Sequence, residues 1–168
     1  MRRSARSRRR LRRADGGRPD NRGMSISPTP LEDSARCPCG SGDTVGGCCG
    51  PLLAGTKRAA TAEALMRSRF TANVVHDADH LLRTWHPRTS PSYRDLESSF
   101  DDGFVWKRLL IRATEAGGPF DTEGIVEFTA IARTPEGRRE LRERSSFVRE
   151  DGTWLYVSGE LTNAPGSH

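Results

Sequence analysis

Four cysteines within thirteen residues constrain this chain more than any other feature. Cys37 and Cys39 are separated by one residue, Cys48 and Cys49 are adjacent, and a glycine-rich stretch joins the two pairs. Glycine reaches positive φ without steric cost, so this stretch allows the backbone to fold back and bring the pairs together. Four thiolates are a complete tetrahedral ligand set for one Zn²⁺. The spacing therefore predicts a closed, structural zinc site, since a catalytic zinc keeps one coordination position open.

A disulfide framework and a redox-active thiol pair are the two alternatives. Adjacent Cys48 and Cys49 do not easily bridge each other, although each is able to pair with Cys37 or Cys39. Disulfides of this kind belong in an oxidising compartment, and the chain shows no export signal. Redox pairs usually have Cys-x-x-Cys spacing beside a βαβ pattern, and neither is present. We therefore expect one structural Zn²⁺, which would also supply folding free energy to a segment too small to have its own core.

The cysteine motif resembles a known zinc motif, SEC-C, which also ends the bacterial translocation ATPase SecA. The resemblance is carried by Cys-Pro-Cys-Gly-Ser-Gly at 37–42 and Cys-Cys-Gly-Pro at 48–51. Segments with matching order and spacing follow at 51–55, 61–70, 84–87 and 143–154. Together they resemble the YchJ family, also called UPF0225. The resemblance covers about residues 36–160. It implies an N-terminal zinc knuckle followed by a cone-shaped domain of the nuclear transport factor 2-like type, and it implies no established biochemical activity.

Two departures from that pattern concern the surface of the knuckle and the end of the chain. SEC-C motifs often carry Lys and Tyr between the cysteine pairs, whereas residues 43–46 are Asp, Thr, Val and Gly. Some relatives also have a second cysteine motif at the C-terminus, which this chain lacks.

The similarity to the translocase motif implies contact with a protein partner. We therefore predict a protein-interaction or small-ligand-binding module, in which the knuckle docks a protein or the cone binds a small apolar ligand.

The basic charge of the chain is confined to its N-terminus. The net charge is +5, but residues 1–23 hold ten Arg and two Asp, so residues 24–168 carry a net charge of −3. An arginine-rich arm of this kind is able to neutralise phosphates, so nucleic-acid binding is an alternative function. A targeting peptide is a second interpretation of the arm. The third, which we prefer, is a translation start at Met24 that removes it.

No apolar run approaches the ~20 residues that a membrane span requires. Without an export signal or a span, the sequence predicts a cytoplasmic protein that has no membrane contact.

The composition of the leader cannot bury a core, which predicts disorder there. The remaining length is enough for one domain with one core. We assign the parts of the chain as a disordered leader and linker (1–33), a zinc knuckle (34–57), an α+β domain (58–163) and a disordered tail (164–168).

Apolar residues recur at three- or four-residue spacing after Thr61, which predicts an amphipathic helix that begins there. A restart at Asp77 or Asp79 follows, and then a short helix that begins at Ser90-Pro91 or at Ser92. The pattern then changes to four β-rich runs joined by short turns, which favours antiparallel strands. These runs span about residues 104–114, 124–132, 138–149 and 153–161. Helices followed by a meander predict an α+β fold with the helices on one sheet face. The large aromatics expected in the core are Trp85, Trp106, Phe147 and Trp154.

The mouth of such a cone is the default ligand site. Glu127 and Glu143 lie on adjacent predicted strands, and we expect them to face one cavity as candidate acid–base residues. His86, next to a proline at a helix end, is the third candidate. Cross-strand ion pairs and a cation at a helix C-terminus are the simpler interpretations of these residues. His76 and His80 are spaced i, i+4 without a third ligand, so we interpret them as surface residues. A small enzyme with its site in the cone therefore remains an alternative to a binding module.

Overall fold

The computed structural model describes residues 28–162, which form four helices followed by four strands. The elements are α1 (Gly50–Leu53), α2 (Ala62–Val75), α3 (Ala78–Arg83), α4 (Tyr93–Ser99), β1 (Val105–Ala116), β2 (Glu123–Thr134), β3 (Gly137–Glu150) and β4 (Thr153–Leu161). Predictions for the arginine-rich leader, the start at Met24 and the C-terminal tail fall outside the described residues. No helix within residues 28–162 combines the length and the apolar character needed to cross a membrane.

The four strands form one antiparallel sheet in the order β1-β2-β3-β4. Each strand pairs with its neighbour in the chain, as the short turns between the predicted runs require. The last hairpin closes at Asp151 and Gly152, where both residues have positive φ (49° and 74°), as a tight primed turn demands. The predicted α+β architecture, with helices against a curved sheet, is therefore confirmed.

Side-chain caps set where the helices begin. The Thr61 hydroxyl accepts from the backbone N–H of Ala64 at 3.0 Å and starts α2, as predicted. Asp77 and Ser92 cap α3 and α4 in the same way. Helix α2 ends at His76, whose backbone is left-handed (φ 60°), so α3 starts in a new direction. The short helix α1 was not predicted, because four residues show no periodicity.

The main core lies between α2 and the sheet. Phe70 of α2 is buried with Phe128 and Phe147 of the sheet, and Trp154 is 1% exposed. The prediction that Phe147 and Trp154 are core residues is confirmed. The other two large aromatics, Trp85 and Trp106, are only half-buried, because they line a cavity beside this core.

Two glycines allow α2 and the sheet to meet closely. The backbone N–H of Ala62 donates to Gly117 O at 2.9 Å, and Gly117 itself lies against Gly124 of β2. A Cβ built on Gly124 would lie 2.5 Å from Gly117 Cα and 3.0 Å from the Ala62 Cβ. Backbone atoms cannot move away as a flexible side chain does, so no larger residue fits at this position.

We expect Gly124→Ala to lower the free energy of unfolding by about 1–3 kcal/mol, because it forces apart atoms in a packed core. The measurement is urea denaturation of the purified variant. Gly118→Ala is the matched control, since its Cβ would meet only the Asp121 carboxylate at 3.2 Å. Equal stabilities of the two variants would show that the contact at Gly124 is not limiting.

Residues 28–33, which we assigned to a disordered leader and linker, are attached to the folded body. The backbone N–H of Thr29 donates to Val75 O at 2.9 Å, and Asp33 O accepts from Gly46 N at 2.9 Å. Leu31 packs against the buried cysteines. The disorder prediction is wrong for these residues, because the small cysteine core is covered by an apolar side chain from this segment.

Candidate metal centre and cone cavity

A compact loop brings the two cysteine pairs together. The backbone N–H of Cys37 donates to Asp43 O at 2.9 Å, and that of Val45 donates to Ala35 O at 2.8 Å. Gly40 and Gly42 both have positive φ (78° and 94°), so the tip of the loop depends on glycine as the sequence indicated. At Gly50, where α1 begins beside the second pair, a Cβ would lie 2.8 Å from Val45 O.

The four cysteine sulfurs form a cluster that fits one tetrahedral metal ion. They all lie within 4.8 Å of one another, and three of the four residues are buried. The Cys48 sulfur is 3.5 Å from that of Cys39 and 3.8 Å from that of Cys49. A tetrahedron of Zn–S bonds of about 2.3 Å has sulfur–sulfur edges of about 3.8 Å, close to these separations. The chain therefore provides a complete thiolate shell for a metal, with no disulfide among its cysteines.

The thiols by themselves do not favour four negative charges at this place. Hydrogen bonds from the Cys37 and Cys49 thiols lower the pKa of Cys39, whereas donating such bonds raises the pKa of Cys49. Burial raises the pKa of Cys48 to about 11. The neighbouring S–H groups thus favour a negative charge on Cys39 and oppose one on Cys49. A divalent metal ion would deprotonate the remaining thiols by compensating their charge.

Helix α2 holds the cysteine cluster against the cone. The Arg67 guanidinium donates to Cys39 O at 2.9 Å, which places a positive charge beside the cluster. The Cys37 sulfur lies 3.9 Å from the Thr71 hydroxyl on the same helix face. Arg83 of α3 donates to the carbonyls of Leu52 and Leu53 in α1. The cysteine loop is thereby connected to both α2 and α3.

His80 takes part in this contact between α3 and the cysteine loop. The interpretation of His80 as a surface residue is therefore wrong. Its side chain is 2% exposed, with Nδ1 accepting from Arg83 at 2.9 Å and Nε2 lying 2.9 Å from the Ser68 hydroxyl. Because Ser68 donates to Leu65 O, the proton of the neutral ring lies on Nε2. Burial, together with the charges of Arg83 and Arg69, lowers the pKa of His80 to about 3.

His76 is half-buried and stacks on Phe100, with ring centroids 4.6 Å apart, so it is not a surface residue either. The i, i+4 spacing of His76 and His80 does not place them on one helix face, because α2 ends at His76 and α3 begins at Ala78.

A second candidate site is a cavity of about 450 Å³ at the open end of the cone. It lies between the sheet and helices α2–α4, and most of its walls are apolar. Aromatic rings and aliphatic side chains form these walls, among them Met66, Phe70, Leu96, Phe100, Trp106 and Phe128. The exposed residues Ser99 and Asp102 lie at its rim. The interior of the cone is therefore open to a small molecule.

Arg69 is the charged residue buried most deeply in the wall of this cavity. Its side chain lies between the rings of Trp85 and Tyr156, with Cζ 4.7 Å and 4.4 Å from the two centroids. Both of its hydrogen bonds leave from Nη1, to Leu81 O and to the Thr84 hydroxyl, each at 2.8 Å. Burial lowers the pKa of Arg69 to about 10, so the guanidinium stays charged at neutral pH.

Glu143 is the one of our three acid–base candidates that lines the cavity. Its Oε1 accepts from the hydroxyls of Ser145 at 2.6 Å and Tyr156 at 3.3 Å. Gly159 on β4 makes room for this carboxylate, since a Cβ there would lie 1.9 Å from Oε1. Burial, followed by the charge of Glu143, raises the pKa of Tyr156 to about 12, so the phenol remains a hydrogen-bond donor.

Glu127 and His86 do not line this cavity, although Glu127 and Glu143 both border a second, more polar pocket of about 350 Å³. Glu127 pairs across the sheet with Arg144, whereas Glu143 pairs with Phe128, so the two glutamates lie on opposite faces. Glu127 forms an ion pair with Arg144 on the outer face, which is the ordinary cross-strand interaction. His86 is 3.2 Å from the exposed Glu150, and its backbone N–H donates to Tyr156 O at 2.7 Å.

Neither Arg69 nor Tyr156 was predicted from the sequence as a residue of the site. A charged residue inside an amphipathic helix is normally placed on the solvent side. The available signal was its spacing, since Arg69 falls four residues after Leu65 and three after Met66, which places it on the apolar face of the predicted helix. Tyr156 lies two residues after Trp154 on β4, and residues with this spacing share one face of a strand. The burial expected for Trp154 therefore also indicated the inner face for Tyr156.

Comparison with known proteins agrees with this architecture. Residues 61–159 match a family model described as the middle NTF2-like domain of YchJ. A UPF0225 protein of Streptomyces coelicolor is 48% identical over 134 residues, which cover 80% of this chain and 98% of the relative. One from Corynebacterium efficiens is 47% identical over 133 residues, covering 79% of this chain and 98% of the relative.

Two solved structures resemble the fold. A SEC-C motif containing protein of Rhodopseudomonas palustris has a TM-score of 0.69 and 34% sequence identity, and the match covers 76% of this chain and 99% of that one. A SEC-C motif containing protein of Psychrobacter arcticus has a TM-score of 0.65 at 23% identity, covering 80% and 86% of the two chains. The second similarity is one of fold alone.

Proposed function

The chain belongs to the YchJ (UPF0225) family, and from this premise we propose that it is a small-ligand-binding protein whose cavity is the binding site. The observation that carries the proposal is the cavity of about 450 Å³ with largely apolar walls and a few polar groups. Pockets for small ligands typically have this volume and this composition. An interior that was not needed for binding would be expected to close, since protein cores leave few voids larger than a water molecule.

A neutral apolar probe tests this proposal without any assumption about charge. We expect N-phenyl-1-naphthylamine to bind with a rise in fluorescence, and Ala130→Phe to weaken binding at least ten-fold. Ala130 is 3% exposed and lines the cavity, so the added ring would occupy the space of the ligand. Ala113→Phe is the matched control, because Ala113 is an exposed residue of the same sheet. Equal binding by the folded Ala130→Phe variant would contradict the proposal.

We also propose that the metal is Zn²⁺ and that its role is structural. Cys37, Cys39, Cys48 and Cys49 would hold it. Four sulfur donors favour zinc over hard cations such as Mg²⁺ or Ca²⁺, and they leave no position for a substrate. The bound ion would fix the loop that α1 and α2 contact. Its contribution is therefore to the stability of the knuckle.

A protein partner that docks on the knuckle stays a prediction with weaker support. Its exposed tip, residues 40–44, consists of Gly, Ser, Gly, Asp and Thr, whereas binding hot spots are usually large aromatic residues or arginine.

The enzyme alternative depended on several acid–base groups converging in the cone. Glu143 lines the cavity without His86 or Glu127, so this alternative has lost two of its three residues.

A further inference from the structure

We propose that the ligand of the cone cavity is an apolar monocarboxylate whose carboxylate group pairs with Arg69 and accepts a hydrogen bond from Trp85. This inference rests on the proposed function, because it assigns a chemical class to the ligand of the same cavity. It follows from two groups in the cavity wall, namely a buried guanidinium that forms no salt bridge within residues 28–162 and a buried indole N–H that has no acceptor there.

Arg69 is the first of these groups. Its side chain is only 5% exposed, yet no carboxylate among residues 28–162 forms a salt bridge with it. Arginine is rarely buried to this extent without an ionic partner, since moving a charge out of water is costly. The two aromatic rings and two neutral acceptors supply part of the compensation. Glu143 attracts the guanidinium without forming a salt bridge to it, so a ligand carboxylate would supply a direct ionic partner and match the planar guanidinium.

Trp85 is the second group. Its indole Nε1 is buried and has no acceptor within residues 28–162. A buried donor without a partner costs about 1–3 kcal/mol and calls for an explanation, such as a bound ligand or water. Trp85 lines the cavity and its ring covers the Arg69 guanidinium, so the two side chains belong to one region of the wall, and the bound ligand would have to expose the indole N–H to its carboxylate. Together they favour a ligand that has acceptor oxygens.

Glu143 is the feature that argues most directly for the opposite charge. A cationic ligand would pair with this carboxylate. Its Oε1, however, already accepts two hydrogen bonds, from Ser145 and Tyr156, and the residue is only partly buried. The need for a further ionic partner is therefore greater for the Arg69 guanidinium than for the Glu143 carboxylate. The same carboxylate close to the site selects against ligands with two negative charges.

The volume of the cavity limits the size of the ligand. At ~30 Å³ per water in the liquid, about 450 Å³ corresponds to the volume of roughly 15 waters. The apolar walls suit a hydrocarbon or aromatic body. A monocarboxylate with about ten to fifteen non-hydrogen atoms is therefore the class that fits both the volume and the polar groups.

Three probes that share a naphthalene body and differ in charge test the proposal on the zinc-loaded full chain. They are 1-naphthoate, 1-naphthalenemethanol and protonated 1-naphthylmethylamine, compared by isothermal titration calorimetry at pH 7. We expect the carboxylate to bind at least ten-fold more tightly than the alcohol, and the ammonium to bind most weakly. Each charge-assisted hydrogen bond contributes enough for a ten-fold difference or more.

Two variants identify the groups that bind the carboxylate. Trp85→Phe keeps an aromatic ring over Arg69 and removes the indole N–H. It should weaken 1-naphthoate about ten-fold or more, leave 1-naphthalenemethanol less affected, and leave the thermal stability of the ligand-free protein nearly unchanged. Arg69→Met should abolish the preference for the carboxylate over the alcohol. Because this variant also alters packing, its folding is checked by circular dichroism, and Arg69→Lys tests whether the charge alone restores the preference.

The outcomes separate this proposal from the proposed function. Equal affinity for the carboxylate and the alcohol, with N-phenyl-1-naphthylamine still bound, would overturn the carboxylate proposal and leave the ligand site intact. Tightest binding of the ammonium would overturn it in favour of a cationic ligand at Glu143. Failure of every probe, charged or neutral, would remove the proposed function and this inference with it.

Discussion

Removal of the metal is expected to unfold the cysteine loop and leave the cone folded. In zinc-binding peptides, metal binding supplies about 10–16 kcal/mol of apparent folding free energy, and the loop here has only a small buried cluster of its own. A chelator, or Cys49→Ser, should therefore abolish hydrogen-exchange protection of the amides of Val45 and Gly50, which close the loop. The amides of β2, which lie in the separate main core, should remain protected.

Ser41→Ala is the matched control for this prediction. It removes two exposed hydrogen bonds of 3.2 Å, one to the Cys48 sulfur and one from the Asp43 N–H, and keeps all four thiols. We expect it to bind one equivalent of zinc and to show nearly normal exchange. A chelated protein that keeps full protection at Val45 and Gly50 would contradict a structural role for the metal, as would purified protein that contains no stoichiometric metal ion.

Acidification is expected to destabilise the fold through His80. The pKa of this residue is lowered from 6.5 to about 3 in the folded chain, so the folded state binds the proton less readily than the unfolded state. Its contribution to stability is therefore fully present above pH 6.5 and is lost as the pH falls toward 3. At about 1.4 kcal/mol per pH unit, the total loss is on the order of 5 kcal/mol.

The surroundings of His80 explain the size of this effect. Arg83 and Ser68 bond to its ring, Arg69 adds a second positive charge nearby, and Asp77 accepts from its backbone N–H. A protonated ring would have to displace Arg83, which also binds the carbonyls of α1. The loss of stability should therefore begin where α3 meets the cysteine loop.

Urea denaturation of wild type and His80→Gln between pH 7 and pH 4 tests this prediction. The stability of the variant should fall less steeply with decreasing pH, whatever its absolute value. Ser98→Ala is the control, since it removes an exposed hydroxyl that bonds to Arg94 O and has no titrating group, so its profile should be parallel to wild type. Both variants keep the four cysteines, so proton competition for the metal affects all three proteins alike. Parallel profiles for His80→Gln and wild type would rule out the role of His80.

The elements of the fold were predictable because their signals are local. The alternation of apolar residues and the turn residues at Asp151 and Gly152 are contained within a few neighbouring positions, and so are the caps Thr61 and Ser92. The structure places strands and helices within a few residues of each prediction. The cysteine cluster was predictable for the same reason, since its four residues lie close together in the chain.

The cavity was only partly predictable, because its residues come from elements far apart in sequence. Whether Glu127 and Glu143 share a face depends on the register of β2 against β3, and a shift of one residue reverses the answer. The burial of Arg69 depends on the aromatic rings of Trp85 and Tyr156, which the chain brings together when residues 84–86 pair with β4. No pattern within a few neighbouring residues predicts the strand register or the burial of Arg69.

Helix α2 contacts the cysteine loop through Arg67 and Thr71, and it contributes Arg69 and Asn73 to the cavity. Each pair is spaced by one turn, and the two pairs differ by about 200° around the helix axis, since each residue advances about 100°. Rotating or sliding this helix would therefore misalign both sites at once. The rotation of α2 about its own axis is therefore constrained by both sites. The pocket is expected to vary among related proteins through substitutions of its side chains and not through movement of this helix.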